Sequence, residues 1–142
     1  MSLAQRFAQV FGAVYVLVGI LGFIPPLIVP KLPAVALGIP ALSGFLIGLF
    51  AINWLHSVAH LAIGAAGLAS YRSPAGARSY ALALGVLYLV LFLFGLIPGL
   101  SSVFGLLPLF GADVILHLLT ALIAFGAYFA SPETPGPAAP RV

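Results

Sequence analysis

The sequence predicts an all-α integral membrane protein, a bundle of four transmembrane helices built from two repeated helical hairpins. Its 142 residues are 63% hydrophobic and 5% charged, which is far outside the range of soluble globular domains. Four apolar segments are each long enough for a membrane-spanning helix, which needs about 20 residues. The first and third of these segments also resemble each other, which indicates a duplicated unit.

Residues 1–130 are expected to form one transmembrane domain. We place its helices at about residues 7–27, 45–69, 80–97 and 113–130. Pro25-Pro26 ends the first helix and Pro98-Gly99 ends the third, because proline removes a backbone hydrogen bond and cannot continue a helix. The helices are therefore joined by short segments in which proline and glycine are frequent.

The connecting segments differ in polarity. Residues 29–44 and 99–111 are apolar but too interrupted by proline and glycine to span, so we expect them at the outer interface. Residues 70–79, SYRSPAGARS, predict a short aqueous loop on the other side of the membrane. The Pro-rich tail at 131–142 is expected to be disordered and cytoplasmic.

The basic residues predict the orientation. With a cytoplasmic N-terminus, only Lys31 lies outside, and four arginines lie inside: Arg6, Arg72, Arg78 and Arg141. The positive-inside rule therefore favours both termini in the cytoplasm, in a multi-pass protein of a bacterial inner (plasma) membrane. The basic residues are scattered singly, which argues against a nucleic-acid partner. The chain has no cysteine, so a disulfide framework and a thiolate metal site are excluded.

The internal repeat aligns FGAVYVLVGILGFIP, residues 11–25, with LGVLYLVLFLFGLIP, residues 84–98, without a gap. The alignment pairs Gly12 with Gly85, Tyr15 with Tyr88 and Gly22 with Gly95. At a different offset, Leu55-His56 also aligns with Leu116-His117. Two hairpins of the same orientation are related by an axis along the membrane normal. Small residues that let membrane helices approach closely are Gly12, Gly19, Gly64, Gly67 and Gly126.

Two short polar ladders interrupt the apolar helices. His56 and His60 stand four residues apart, which places both imidazoles on one face of a helix. Asp113 and His117 have the same spacing on the fourth predicted helix. At 1.5 Å per residue, His56 and His117 each lie about 21 Å from the inner ends of their helices. We therefore expect these two histidines to face each other at one depth.

Several features resemble a known family. These are NWLHSVAHLAIGAAGLA from Asn53, the arginine-flanked loop after it, the GVLYLVL run and the closing DVILH helix. Together they resemble the bacterial membrane family called domain of unknown function 4383, over about residues 7–130. The resemblance implies four spans and no particular reaction, cofactor or partner. Its most specific residues are those of the two ladders, together with Asn53. The family pattern has Asn-Trp after the aspartate of the fourth helix, where this chain has Val114-Ile115.

The ladders permit several kinds of site. His56 and His117 suit bis-imidazole ligation of a haem iron, as in haem b, with His60 and Asp113 as their hydrogen-bond partners. The same four side chains can instead complete a shell for a divalent metal such as Zn²⁺ or Cu²⁺. A single histidine can also ligate a chlorin pigment. Intramembrane polar residues also occur in a proton or small-solute pathway.

A purely structural interpretation needs no ligand. The polar side chains would then form hydrogen bonds between helices, with Tyr15 or Tyr88 as partners of His60 and with Asn53 and Asp113 at helix N-termini. No nucleophile elbow, phosphate loop or carboxylate pair is present, so no enzyme is expected. Our first hypothesis is a structural or accessory subunit of a larger membrane complex or a homo-oligomer, with the packing glycines as its interaction surface. The second is a cofactor-binding protein.

Overall fold

A computed structural model describes residues 1–29 and 42–131, and these residues are mostly helical. The helices are α1 (Leu3–Leu21), α2 (Trp54–Ser70), α3 (Pro74–Leu96) and α4 (Ala112–Phe129). The strands are β1 (Ile28–Val29), β2 (Gly44–Leu46) and β3 (Phe50–Ile52), and a 3₁₀ turn covers Pro25–Leu27. Most of the predicted outer loop at 29–44 and nearly all of the predicted tail lie outside the described residues.

Three helices, α1, α3 and α4, are long enough and apolar enough to cross a membrane, which indicates a membrane protein. The shortest helix is α2, with 17 residues. The prediction for the fourth helix, 113–130, agrees with α4 to within one residue at each end. The first helix, predicted at 7–27, begins earlier, because Ser2 and Gln5 form a capping box. It also ends earlier than predicted, at Leu21, and residues 25–27 form the separate 3₁₀ turn.

The turn between α2 and α3 is shorter than the aqueous loop predicted at 70–79. Ser73 caps α3 by accepting a hydrogen bond from the Gly76 backbone N–H at 3.2 Å, and Pro74 takes the first helical position. Proline is favoured there because its missing N–H has no helical partner in any case. The Ser-Pro pair thus begins a helix, and α3 starts at Pro74 and not at residue 80.

The prediction of one continuous helix over 45–69 is wrong. Its first part forms a hairpin of β2 and β3, in which Leu46 is paired with Phe50. Ile47 and Gly48 have φ of 49° and 77°, and the Leu49 N–H donates to the Leu46 carbonyl at 3.1 Å. Positive φ at both central residues gives a turn whose twist matches that of paired strands. The hairpin delays the start of α2 to Trp54.

Asn53 begins α2 in the N-cap position, as predicted. Its side-chain oxygen accepts a hydrogen bond from the His56 backbone N–H at 2.8 Å. Its amide nitrogen donates to the Leu106 carbonyl at 2.7 Å, so Asn53 also fixes the loop before α4. The side chain is fully buried. Asn53 therefore holds the strands, α2 and the 97–111 loop together.

The strands lie at one end of the bundle, and Arg6, Arg72 and Arg78 lie at the other. At the second end, Gln5 Nε2 donates to the Tyr71 carbonyl at 3.1 Å, and the Ala4 N–H donates to Ser131 Oγ at 2.8 Å. Arg78 Nε donates to the Ser131 carbonyl at 3.0 Å. The start of α1, the α2–α3 turn and the end of α4 therefore lie together. We call this the arginine end, after Arg6, Arg72 and Arg78, and the opposite one the strand end.

Helix α1 packs mainly on α2, and α3 packs mainly on α4; the two pairs meet chiefly through α1 and α3. Glycines permit the first contact, as predicted. A Cβ at Gly12 would lie 2.8 Å from Leu68 N, and one at Gly64 would lie 2.6 Å from Val16 N. These glycines are buried between α1 and α2. They therefore do not supply the exposed interaction surface that the accessory-subunit hypothesis assigned to them. Gly126, which was also predicted to pack, is instead exposed on α4, with no atom within 4 Å of an added Cβ.

Candidate functional site

A cavity of about 200 Å³ lies among the helices near the strand end. Its apolar walls come from α1, α4 and the β2–β3 hairpin. Its polar lining consists of Tyr15, His56, His60, Tyr88, Asp113, His117 and Thr120. The four side chains predicted from the ladders, His56, His60, Asp113 and His117, thus all line one cavity.

The two α2 histidines point their Nδ1 atoms at backbone oxygens. His56 Nδ1 lies 3.1 Å from the Ala51 carbonyl, and His60 Nδ1 lies 3.1 Å from the His56 carbonyl. A carbonyl oxygen can only accept, so each Nδ1 carries the hydrogen. In the neutral ring, Nε2 is then an acceptor. The two rings stack with centroids 4.6 Å apart, so α2 presents two parallel acceptors.

On the α4 side, the Asp113 carboxylate is hydrogen-bonded to the backbone, whereas His117 Nδ1 has no hydrogen-bond partner in the described part of the chain. Asp113 Oδ2 accepts a hydrogen bond from the Ala51 N–H at 2.7 Å, which fastens β3 to the first turn of α4. His117 follows one turn later and is 2% exposed. Its Nδ1 is the one buried side-chain nitrogen or oxygen in residues 1–29 and 42–131 without a hydrogen-bond partner. A buried polar atom left in this state costs about 1–3 kcal/mol.

Tyrosine rings connect the histidines of α2 with that of α4. Tyr15 of α1 stacks on His60 at 5.2 Å between centroids, and Tyr88 of α3 lies 5.7 Å from Tyr15. Tyr88 meets His117 edge-on at 5.1 Å. The Tyr15 hydroxyl lies near those of Tyr88 and Thr120. A hydrogen bond between a tyrosine and His60 was predicted; the structure shows Tyr15 stacked on His60 instead.

Beyond the tyrosines, the packing toward the arginine end is apolar. Phe11 lies 6.1 Å from Tyr15, and Phe7 lies 4.3 Å from Phe11, between ring centroids. Leu84 packs in the same core cluster. The hydroxyl of Tyr80, farther along, donates to the Ile63 carbonyl at 3.3 Å. The described residues therefore close the cavity on this side with aromatic and aliphatic side chains.

The cavity opens between α1 and α4. Three lining residues have large exposed fractions: Val14 at 49%, Ile47 at 58% and Leu116 at 42%. We call these three residues the mouth. Because all three are aliphatic, the mouth suits an apolar molecule better than a polar one.

The hydrogen-bond roles predicted for His60 and Asp113 as supports of two haem ligands are not seen. Both bind backbone groups, at His56 and Ala51 respectively. The cavity, at about 200 Å³, is also smaller than the roughly 300–1,000 Å³ typical of sites for larger organic ligands. Tyr15 and Tyr88 occupy the space between His60 and His117. The residues present therefore do not fit haem b or a chlorin.

The structure also does not assemble the predicted metal shell. Across the two described ranges, no three His, Asp or Glu side chains are grouped so that they could hold a metal ion. The four predicted ligands line the cavity without converging on one point.

Residues 5–130 match the model of the family described as domain of unknown function (DUF4383). The chain belongs to the DUF4383 family. This match confirms the resemblance seen in the two ladders and the GVLYLVL run. No curated protein and no solved structure matches the chain.

In this DUF4383 protein, the sequence left some lining residues unrecognised. Thr120 lies three residues after His117 on the same helix face, so its spacing could have identified it. The Ala51 backbone, which binds both His56 and Asp113, carried no comparable signal. Backbone groups reach a site through the conformation of the chain, which the apolar run around β3 did not reveal.

Proposed function

We propose that this protein binds a small lipid-soluble molecule in the cavity lined by His56, His60 and His117. The observation that carries the proposal is the buried His117 Nδ1, which has no partner among the described residues and belongs to a residue that lines a cavity of about 200 Å³. Buried polar groups are nearly always hydrogen-bonded, so this nitrogen is free to form a hydrogen bond with a bound molecule. One polar group on that molecule supplies the partner.

The apolar mouth supports access from lipid. Val14, Ile47 and Leu116 are the exposed side chains through which a molecule would pass, and none carries a polar atom. The apolar packing behind Tyr15 and Tyr88 supports a closed site over a proton or solute pathway. The accessory-subunit hypothesis has less support, because four of its five glycines are buried within the protein, namely Gly12, Gly19, Gly64 and Gly67.

We further propose that all four helices span a bacterial inner membrane, with both termini in the cytoplasm. Helix α2 begins at the strand end and returns to the arginine end, where Gln5 contacts Tyr71. Its 17 residues are at the short limit for a span, for which about 17–25 are typical. Arginines concentrated at one end favour that end as the cytoplasmic one.

Cysteine labelling tests the fourth span on a background that has no native cysteine. Leu49→Cys is 56% exposed in the hairpin turn, and Ala75→Cys is exposed just after the α2–α3 turn. In intact cells, a membrane-impermeant maleimide is expected to label Leu49→Cys, and to label Ala75→Cys only after lysis. Phe104→Cys serves as the control before α4 and should behave like Leu49→Cys. Labelling of Leu49→Cys and Ala75→Cys from one side would contradict an α2 span.

The duplicated architecture is part of the same proposal and has two supports. Tyr15 and Tyr88, which the alignment pairs, lie in contact, as expected for equivalent residues beside a two-fold axis. Gly12 and Gly85, which the alignment also pairs, lie at equivalent helix contacts. Gly12 of α1 packs against α2, and Gly85 of α3 packs against Phe125 of α4.

Obstruction of the mouth tests the binding function. Leu116→Trp adds a bulky ring at a lining position, whereas Ile115→Trp adds the same ring at a neighbouring position that is 64% exposed and does not line the cavity. Wild type and Ile115→Trp, purified in native-lipid discs, are expected to carry a small molecule enriched over bulk lipid by mass spectrometry. Leu116→Trp should lower its occupancy about tenfold or more, because no room remains at the opening. Equal occupancy in all three proteins would contradict the proposal.

A further inference from the structure

We infer that the ligand of this cavity is a neutral aromatic alcohol, a phenol or hydroquinone that partitions into lipid. The inference rests on the proposed function and adds the chemical class of the ligand. It follows from the hydrogen-bonding state of the histidines, the charges near the cavity, and its volume and aromatic lining.

The α2 wall presents hydrogen-bond acceptors. His56 and His60 each donate a hydrogen bond from Nδ1–H to a backbone carbonyl. Nε2 of each neutral ring is therefore an acceptor. A hydroxyl group satisfies such an acceptor. A ketone, an ether or a quinone carbonyl does not, because it brings only further lone pairs.

The α4 wall accepts either end of a hydroxyl. His117 Nδ1 is a donor in one neutral tautomer and an acceptor in the other, and no group of the described protein fixes the choice. A hydroxyl can donate to it or accept from it. A hydroquinone, with hydroxyls at both ends of its ring, can therefore serve α2 and α4 together.

The charges near the cavity disfavour an anion. Its one ionisable acid, Asp113, lies on the lining, and its carboxylate already binds the Ala51 N–H. Arg78 is at the arginine end, where it donates to Ser131 and lies over the Tyr128 ring. Within residues 1–29 and 42–131, no lysine or arginine lines the cavity. Burying a carboxylate or phosphate beside Asp113 without a cation is strongly unfavourable.

The size and walls of the cavity fit one aromatic ring. A cavity of about 150 Å³ lined by apolar side chains is enough to bind benzene. The present cavity, at about 200 Å³, leaves room for a few small substituents on such a ring. Tyr15 and Tyr88 supply aromatic faces and edges for it. A phospholipid headgroup or a macrocycle exceeds this volume.

Three probes with the same methylated ring test the class. Tetramethylhydroquinone carries two hydroxyls, tetramethylbenzoquinone carries two carbonyls, and tetramethylbenzene carries neither. Binding to the full-length protein in lipid discs is measured by calorimetry without oxygen. We expect the hydroquinone to bind about tenfold or more tightly than the quinone, since one well-placed hydrogen bond corresponds to about that factor. Tetramethylbenzene should bind more weakly than the hydroquinone by a similar factor.

Imidazole nitrogen NMR gives a second readout without any variant. The chain has three histidines, so selective ¹⁵N labelling resolves each ring. His56 and His60 should show protonated Nδ1 and unprotonated Nε2 before addition of a probe. The hydroquinone should shift an α2 Nε2 and His117 Nδ1, whereas tetramethylbenzene should shift neither.

The outcomes separate the two levels of the proposal. Equal binding of all three probes, or tightest binding of the quinone, overturns the aromatic-alcohol class and leaves a lipid-soluble ligand in place. If no probe binds and Leu116→Trp leaves the co-purified small molecules unchanged, the binding function itself is overturned. Tight hydroquinone binding with the expected nitrogen shifts supports both.

Discussion

Replacing Gly64 with alanine is expected to destabilise the protein by about 2–3 kcal/mol, although alanine is the better helix former. The new Cβ would lie 2.6 Å from the Val16 backbone nitrogen and 2.7 Å from the Gly12 carbonyl oxygen. Backbone atoms cannot rotate away as a flexible side chain can. Helices α1 and α2 would therefore have to separate, and much of their common packing would weaken.

Gly126→Ala is the matched control for this change. Gly126 also lies inside a helix, α4, but no atom lies within 4 Å of the Cβ that alanine would add. Alanine loses less conformational freedom than glycine when the helix folds, so Gly126→Ala is expected to raise the stability of the protein by about 0.5–1 kcal/mol. Equilibrium unfolding in mixed detergent micelles measures both changes. Effects of the same sign would show that close approach of α1 and α2 is not the reason for Gly64.

Removal of the Asp113 carboxylate is expected to release the strands from α4. In Asp113→Ala, the buried Ala51 N–H loses its acceptor at 2.7 Å. An unsatisfied buried donor costs about 1–3 kcal/mol, and the lost bond was to a group that can carry charge. Asp113→Ala should therefore lose about 2–3 kcal/mol of stability, and the Ala51 amide should exchange its hydrogen faster.

Asp113→Asn separates the hydrogen bond from the charge. Asparagine keeps a side-chain oxygen that can accept from Ala51, so this variant should retain most of the stability and the slow exchange at Ala51. The exchange rate at the Tyr71 amide, which is bonded to Gly67 at the arginine end, should be the same in all three proteins. If Asn and Ala at position 113 accelerate exchange at Ala51 equally, the proposed fastening of β3 is wrong.

The helices could be predicted because their signals are local. Asn53 was readable as an N-cap, and α1 does end before Pro25-Pro26, although at Leu21 and not at the predicted residue 27. The β2–β3 hairpin could not be predicted in the same way. Its residues form an apolar run without polar alternation, and such a run is consistent with either a strand or a buried helix. The turn at Ile47-Gly48 decides between them, through backbone angles that isoleucine rarely adopts.

The sequence predicted most of the polar side chains that line the cavity, but it did not predict their hydrogen-bond partners. Four-residue spacing put His56 with His60 and Asp113 with His117, and the alignment of the repeat brought the two ladders to one cavity. The partner of each ring was not predictable. His56 and Asp113 both bind the Ala51 backbone, and the rings of Tyr15 and Tyr88 lie between His60 and His117.

The division of the packing into an α1–α2 pair and an α3–α4 pair has a consequence for biogenesis. Each pair buries its own close contacts, so each can leave the insertion machinery as a unit before the other is complete. The rings of Tyr15 and Tyr88 come from different pairs and meet only after the second pair docks. The cavity therefore requires that both pairs are docked. Any molecule that binds only to the completed cavity would favour the docked state by mass action.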